Sequence, residues 1–151
     1  MRFDAEIGGA LKNTIAIAAG VVEGLGQGHN ALAALITRGL AELTRLAVAM
    51  GGQRETLAGL AGLGDLVLTC GSEQSRNFAF GLSLGRGKSV AEASGGKLAE
   101  GAFTAEVITE MARSRRVDMP VCEAVHAVLS GNTGVSGAVE GLLSRPQRSE
   151  G

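Results

Sequence analysis

The chain has no tryptophan, no tyrosine, two prolines, two cysteines and two histidines among its 151 residues. Each shortage excludes something. Cys70 and Cys122 are too few for a disulfide framework and stand at no metal-ligand spacing to His29 or His126, so two reduced thiols of a cytoplasmic protein are expected. The 14 Lys and Arg nearly balance the 15 Asp and Glu, and no basic block occurs, so the electrostatic footprint of a nucleic-acid binder is missing. No apolar run approaches the ~18–20 residues needed to cross a bilayer. The first residues, with Asp4 and Glu6, lack the basic-then-apolar order of a signal peptide.

Glycine is abundant instead, at 24 residues, in a chain that is 45% hydrophobic and 19% charged. That is enough apolar material for one ordinary core, so residues 1–151 read as a single domain. A core of Ala, Leu, Val and Gly lets helix backbones approach closely, yet a glycine inside a helix costs about 1 kcal/mol relative to alanine. Some of the glycines should therefore sit at caps and turns.

Helical spacing dominates the pattern. Leu11, Ile15, Ala18, Val22 and Leu25 predict a first helix over about Glu6–Leu25, buried on most sides. Asn30 is a good N-cap for a second, carrying Leu32, Ile36, Gly39, Leu43, Leu46 and Met50 to a stop at Gly51-Gly52, with Arg38, Glu42 and Arg45 along its polar face. A short helix is expected over about Glu55–Ala61, after which Leu66 to Leu68 could form a strand, although Asp65 capping a further helical segment is the favoured reading. Ser75 would cap a helix ending near Gly85, and Ser89 would cap a short one at "VAEA". Phe103, Val107 and Met111 predict a helix from about Thr104 to Arg115. Pro120 fits the first turn of the next, "SGAVEGLLS" makes a last one, and the tail from Pro146 should fray. No strand pair or repeat is apparent, so the fold class is all-α.

Few motifs carry chemistry alone. "GLSLGRGKS", Gly81 to Ser89, ends like a phosphate-binding loop, but five residues rather than four separate Gly81 from Gly87 and no strand leads in. Gly24-Leu25-Gly26 and Gly62-Leu63-Gly64 likewise fail the dinucleotide fingerprint. The solitary histidines and the thiols in apolar sequence read as structural. Lys12 is more pointed. It stands at the head of "GGALKNTIAIAAGVVEG", where Thr14 to Val22 carry no charge. An ammonium there either snorkels to water or is held at the edge of the core as a proton donor and acceptor. Ser75, Arg76 and Asn77 at a helix start would suit a phosphate, although an ordinary cap explains the same letters. Asp65 between glycine turns could orient a lysine or simply cap.

In order along the chain, "GGALKN", "ALITRGLAEL", "AGLGDLVLTC", "SRN", "FGLSLGRG", "AEG" and "MPVCEAV" resemble the C-terminal domain of bacterial NAD(P)-dependent glycerol-3-phosphate dehydrogenase, over about Gly8 to Leu143. The resemblance implies an all-α, multi-helix substrate domain like that of 6-phosphogluconate dehydrogenase. It implies Lys12 as the catalytic residue, and Asn13, Asp65, Ser75, Arg76 and Asn77 around the substrate. Arg76, Leu98 and Glu100 would touch the NAD or NADP cofactor, and Lys97-Leu98-Ala99 departs there from the family's usual pattern. It further implies reversible reduction of dihydroxyacetone phosphate to sn-glycerol 3-phosphate, a glycerophospholipid precursor. The partner is an N-terminal nucleotide-binding domain absent from these residues, which binds most of the cofactor and without which the chain is inactive. An apolar surface left by that partner could drive homodimer formation. The competing reading is a non-catalytic helical interaction or oligomerisation module.

Overall fold

A computed structural model describes residues 5–51, 72–94 and 98–144. Seven helices account for most of them: α1 (Ala5–Gly24), α2 (His29–Ala49), α3 (Ser72–Gly85), α4 (Val90–Ser94), α5 (Leu98–Ser114), α6 (Pro120–Leu129) and α7 (Val135–Leu143). No strand occurs among the described residues, so the all-α expectation holds there. The helix expected near Glu55–Ala61, Asp65, Cys70 and the tail from Pro146 lie outside them.

Helix α1 is the axis of the domain. Its apolar spacing buries Leu11, Ile15, Ala18 and Val22, and it contacts α2, α3, α5 and α6. The first half of α1 joins Leu43, Leu46, Met50, Ile108, Met119 and Cys122 in one cluster. Its second half joins Leu35, Leu84, Val121, Leu129 and Val139 in another. Burial of such side chains, at roughly 1.5–3 kcal/mol each, is the main force holding the helices together.

The closest packing is between α1 and α3, and glycine permits it. A Cβ on Gly20 would fall 2.7 Å from Leu82 N and overlap the Phe78 carbonyl; one on Gly81 would overlap the Ile17 carbonyl and lie 3.0 Å from Val21 N. One turn on, Gly24 and Gly85 meet in the same way, a Cβ on Gly85 lying 2.9 Å from the Gly24 Cα. Backbone rests on backbone through two matched glycine pairs, and sequence numbers rise together on both helices. The crossing is therefore parallel, with Ile17 opposite Gly81 and Val21 opposite Gly85.

Several local expectations shift. Helix α2 starts at His29, after Gly28 turns the chain with φ 93°, so Asn30 lies in the first turn rather than at the cap. Helix α3 begins at Ser72, which places Ser75 inside it. Helix α5 begins at Leu98, not near Thr104, because packing against α6 and α1 overrides the low propensity of Gly101. Its buried face is Ala105, Ile108, Thr109 and Ala112, while Val107 is exposed. Thr109 can be buried because its hydroxyl donates to the Ala105 carbonyl at 2.7 Å. Ser89 does cap α4, in a reciprocal box: Glu92 N–H donates to Ser89 Oγ at 3.1 Å and Ser89 N–H to Glu92 Oε1 at 2.9 Å.

Candidate functional site

Lys12 and Asn13 lie in the third turn of α1, both half-buried. The amphipathic spacing sends Leu11 and Ile15 wholly into the core, so Lys12 sits on the border of that stripe. Arg76 is exposed and Asn77 half-buried in the second turn of α3. Carried back one turn, the parallel register that sets Ile17 against Gly81 sets Asn13 against Asn77, and Lys12 at the level of Arg76. Asn13 follows Ile17 on the interface side at i−4 spacing, and Asn77 follows Gly81 in the same way. The register thus puts two residues some sixty positions apart in sequence at one level of two packed helices, with a lysine and an arginine next to them along the chain. That arrangement suits an anionic ligand of small size.

The helix start matters to the chemistry. Because α3 begins at Ser72, the amides of Arg76 and Asn77 fall within the helical ladder, and the unpaired N–H groups of the N-terminus precede them. The expected cradle of free amides at Ser75–Asn77 is therefore replaced by side chains alone. Asp65 lies outside the described residues, as do the side chains of Ser75, Leu98 and Glu100. The backbones of Leu98 and Glu100 form the first turn of α5.

Other sequence candidates are placed elsewhere. The Gly81–Ser89 look-alike of a phosphate loop is split: Gly81 is buried in the α1 crossing, whereas Gly87, at φ 101°, and Lys88 form an exposed turn after α3. His29 is exposed at the start of α2, and Cys122 is a buried free thiol whose pKa burial and the neighbouring Glu42 push well up. Among the described residues no group of His, Cys, Asp and Glu could hold a metal ion. A cavity lined by Ile17, Val21, Leu35, Leu84, Val128 and Leu142 is wholly aliphatic and offers a phosphate nothing.

Sequence reasoning missed the role of the charged residues on α2. Glu42, placed above on a polar face, is 1% exposed. Its Oε1 accepts from the Val121 N–H and its Oε2 from the Cys122 N–H at 3.2 Å, so it caps α6, which has no side-chain cap of its own. Desolvation raises its pKa to about 7, against the lowering pull of the two N–H donors and Arg45. Arg45 donates from Nε and Nη2 to the Asp118 carbonyl at 3.2 and 2.8 Å, and Arg38 Nη1 reaches the Leu142 carbonyl near the end of α7 at 3.2 Å. Anion at a helix N-terminus and cation at a C-terminus both complement the helix dipoles. The signal was present: Glu42 falls between Gly39 and Leu46 on the apolar stripe, and Pro120 opens a helix with no local cap.

Residues 4–140 match the family described as NAD-dependent glycerol-3-phosphate dehydrogenase C-terminus. The chain is 58% identical over 145 residues to a glycerol-3-phosphate dehydrogenase [NAD(P)+] of Rhodopseudomonas palustris, covering 96% of this chain and 44% of that one. It is 60% identical, with the same coverage, to one from Azorhizobium caulinodans. The crystal structure of glycerol-3-phosphate dehydrogenase from Coxiella burnetii superposes with a TM-score of 0.82 at 47% identity, over 93% of this chain and 44% of that one. The chain thus spans less than half the length of these relatives.

Proposed function

The chain belongs to the family of NAD-dependent glycerol-3-phosphate dehydrogenase C-terminal domains, and from that membership we propose that it is the substrate-binding and catalytic half of such an enzyme. The reaction is reversible reduction of dihydroxyacetone phosphate to sn-glycerol 3-phosphate, with NAD or NADP as the cofactor and a nucleotide-binding domain as the partner. The observation that carries this reading is the register of the α1–α3 crossing, which brings Lys12 and Asn13 to the level of Arg76 and Asn77.

The chemistry follows from what these groups can do. Arg76 pairs with the phosphate dianion at the far end of the substrate, Ser75 and Asn77 beside it on α3 hydrogen-bond the phosphate oxygens, and Asn13 on α1 holds the lysine and a substrate hydroxyl in register. Binding energy gained there orients the carbonyl without being released in the ground state. As the carbonyl carbon accepts a hydride, negative charge grows on its oxygen. The Lys12 ammonium stabilises that charge and passes one proton to the oxygen, leaving a neutral amine and an alcohol. In the oxidative direction the neutral amine takes the proton back. Asp65 completes the proposal as the carboxylate that orients Lys12 or a substrate hydroxyl.

The dinucleotide is held chiefly by the nucleotide-binding partner domain. On this chain Arg76, an exposed cation, touches it, together with Leu98 and Glu100 at the start of α5. When bound, the nicotinamide supplies the hydride. The cytoplasm is the compartment this reading implies. No helix among the described residues is long and apolar enough to cross a membrane. Homodimer formation through the apolar face that the partner domain would otherwise cover is part of the proposal. Sedimentation at micromolar concentration tests it, and a monomer there would refute it.

The test of function joins the chain in frame to the preceding part of the Rhodopseudomonas palustris relative and follows NAD(P)H oxidation with dihydroxyacetone phosphate. Lys12→Met should lower kcat by about a hundredfold or more, the usual weight of a general acid. Arg76→Ala should chiefly raise KM. Turnover of Lys12→Met within a few-fold of the unaltered enzyme would refute the assignment.

A further inference from the structure

We infer that Gly81, with its counterpart Gly20, is a positioning residue: the glycine crossing sets the distance between the proton-donating helix and the phosphate-gripping helix. The inference rests on the reading of Lys12 and Arg76 just given, and extends it to residues that touch no ligand.

The two halves of the site ride on different helices. Lys12 and Asn13 are carried by α1, Arg76 and Asn77 by α3, and the helices are fixed to each other where Gly20 and Gly81 let backbone meet backbone. The Gly81 contact, made on the Ile17 carbonyl, is about one turn from the level of Asn13 and Asn77, and Gly20 is about two turns from Asn13. A Cβ on Gly20 would sit 2.7 Å from Leu82 N, against ~3.5 Å for an ordinary non-bonded contact, so the helices would have to part by roughly 1 Å. On Gly81 the obstacle is the Ile17 carbonyl, a backbone atom that cannot swing aside as a side chain would. Over a single turn the displacement reaches the site almost undiminished. A substrate held by α3 through its phosphate would then present its carbonyl about 1 Å away from the lysine on α1, and misplacement on that scale costs up to ~100-fold in rate.

Binding and chemistry should therefore separate. Phosphate binding needs only α3, whereas proton transfer needs both helices in register. Gly141 supplies the control, because a Cβ there meets nothing within 4 Å.

The experiment uses the same in-frame enzyme, with Gly81→Ala, Gly141→Ala and Lys12→Met compared. Gly81→Ala is expected to lower kcat by about 10- to 100-fold while KM for dihydroxyacetone phosphate stays within about threefold; Gly141→Ala leaves both unchanged. Unchanged kcat in Gly81→Ala, with Lys12→Met inactive, overturns the positioning role and leaves the catalytic reading standing. Equal loss through KM alone also overturns it. An inactive unaltered enzyme, or an active Lys12→Met, overturns the reading and this inference with it. Should Gly81→Ala fail to fold, nuclear Overhauser contacts between the Asn13 and Asn77 side-chain amides in the unsubstituted chain decide the matter: their presence supports the register, and their absence overturns it.

Discussion

Replacing Glu42 by Gln should convert a pH-dependent stability into a flat one. The folded chain holds the Glu42 carboxyl at a pKa of about 7, raised from 4.5 by desolvation that outweighs two N–H donors and Arg45. Below pH ~4.5 folded and unfolded states both carry the proton, and the group contributes no pH dependence. Between 4.5 and about 7 the unfolded chain releases it while the folded chain keeps it, so the unfolded state binds fewer protons and stability falls as pH rises. Above about 7 both states are ionised and the loss is complete. A gap of roughly 2.5 units at ~1.4 kcal/mol each puts that loss at about 3 kcal/mol, a large share of the ~5–15 kcal/mol that holds a domain together.

Glutamine removes the titration but not the shape. Its carbonyl can still accept from the Val121 N–H, while its amide turns a donor towards the Cys122 N–H, which then lacks an acceptor at a cost of about 1–3 kcal/mol at every pH. The informative quantity is therefore the difference between the two proteins as a function of pH. Urea unfolding followed by circular dichroism at constant ionic strength, from about pH 5 to about pH 8, should show the advantage of the glutamate form shrinking by ~2–3 kcal/mol. A difference that stays constant to within about 0.5 kcal/mol would mean that burial does not control the proton on Glu42, and the reasoning would fail.

Three further outcomes are expected. Arg116 closes α5 at φ 57°, with the Val117 N–H reaching back to the Ala112 carbonyl at 2.9 Å, so Arg116→Gly should stabilise the chain by about 1 kcal/mol and raise its melting temperature by ~2–4 °C; an unchanged or lower melting temperature would contradict this. Ser89→Ala opens the capping box and should cost α4 about 1 kcal/mol, seen as faster amide exchange across Ala91–Ala93 with exchange in α1 unaffected. In a Cys70→Ser background, Cys122 should resist a thiol reagent until the chain unfolds, because it is buried and its pKa is pushed well up; rapid labelling of the folded protein would show that the cluster around it opens.

Local pattern carried the helices whose burial is one-sided. The stripe of Leu11, Ile15, Ala18 and Val22 placed α1 within a residue at either end, and Pro120 and Ser89 marked the starts of α6 and α4 because their signals act within one turn. Helix α5 was foreshortened and its buried face misread, because Ala105 and Thr109 are small or polar and only packing against neighbouring helices makes them core. Helix starts at His29 and Ser72 were missed because Asn30 and Ser75 have the chemistry of caps without occupying the position, and nothing local distinguishes a capping serine from one a turn inside.

The site was accessible to sequence only through likeness to a family, and the reason is physical. Lys12 and Arg76 are related by a helix crossing, and a crossing leaves no periodic trace in either segment alone. It does leave a paired trace. Gly20 and Gly24 stand four apart in α1, Gly81 and Gly85 stand four apart in α3, and a parallel glycine contact needs the same spacing on both partners. Read separately, Gly24 suggested half of a dinucleotide fingerprint and Gly81 the start of a phosphate loop. Read together they specify one register, and the lysine one side of it and the arginine on the other are brought level by that register alone. Gly24 and Gly81, which imitate parts of two ligand-binding motifs, are instead occupied by a helix crossing, and on the proposed reading that crossing sets where the ligand-binding groups meet.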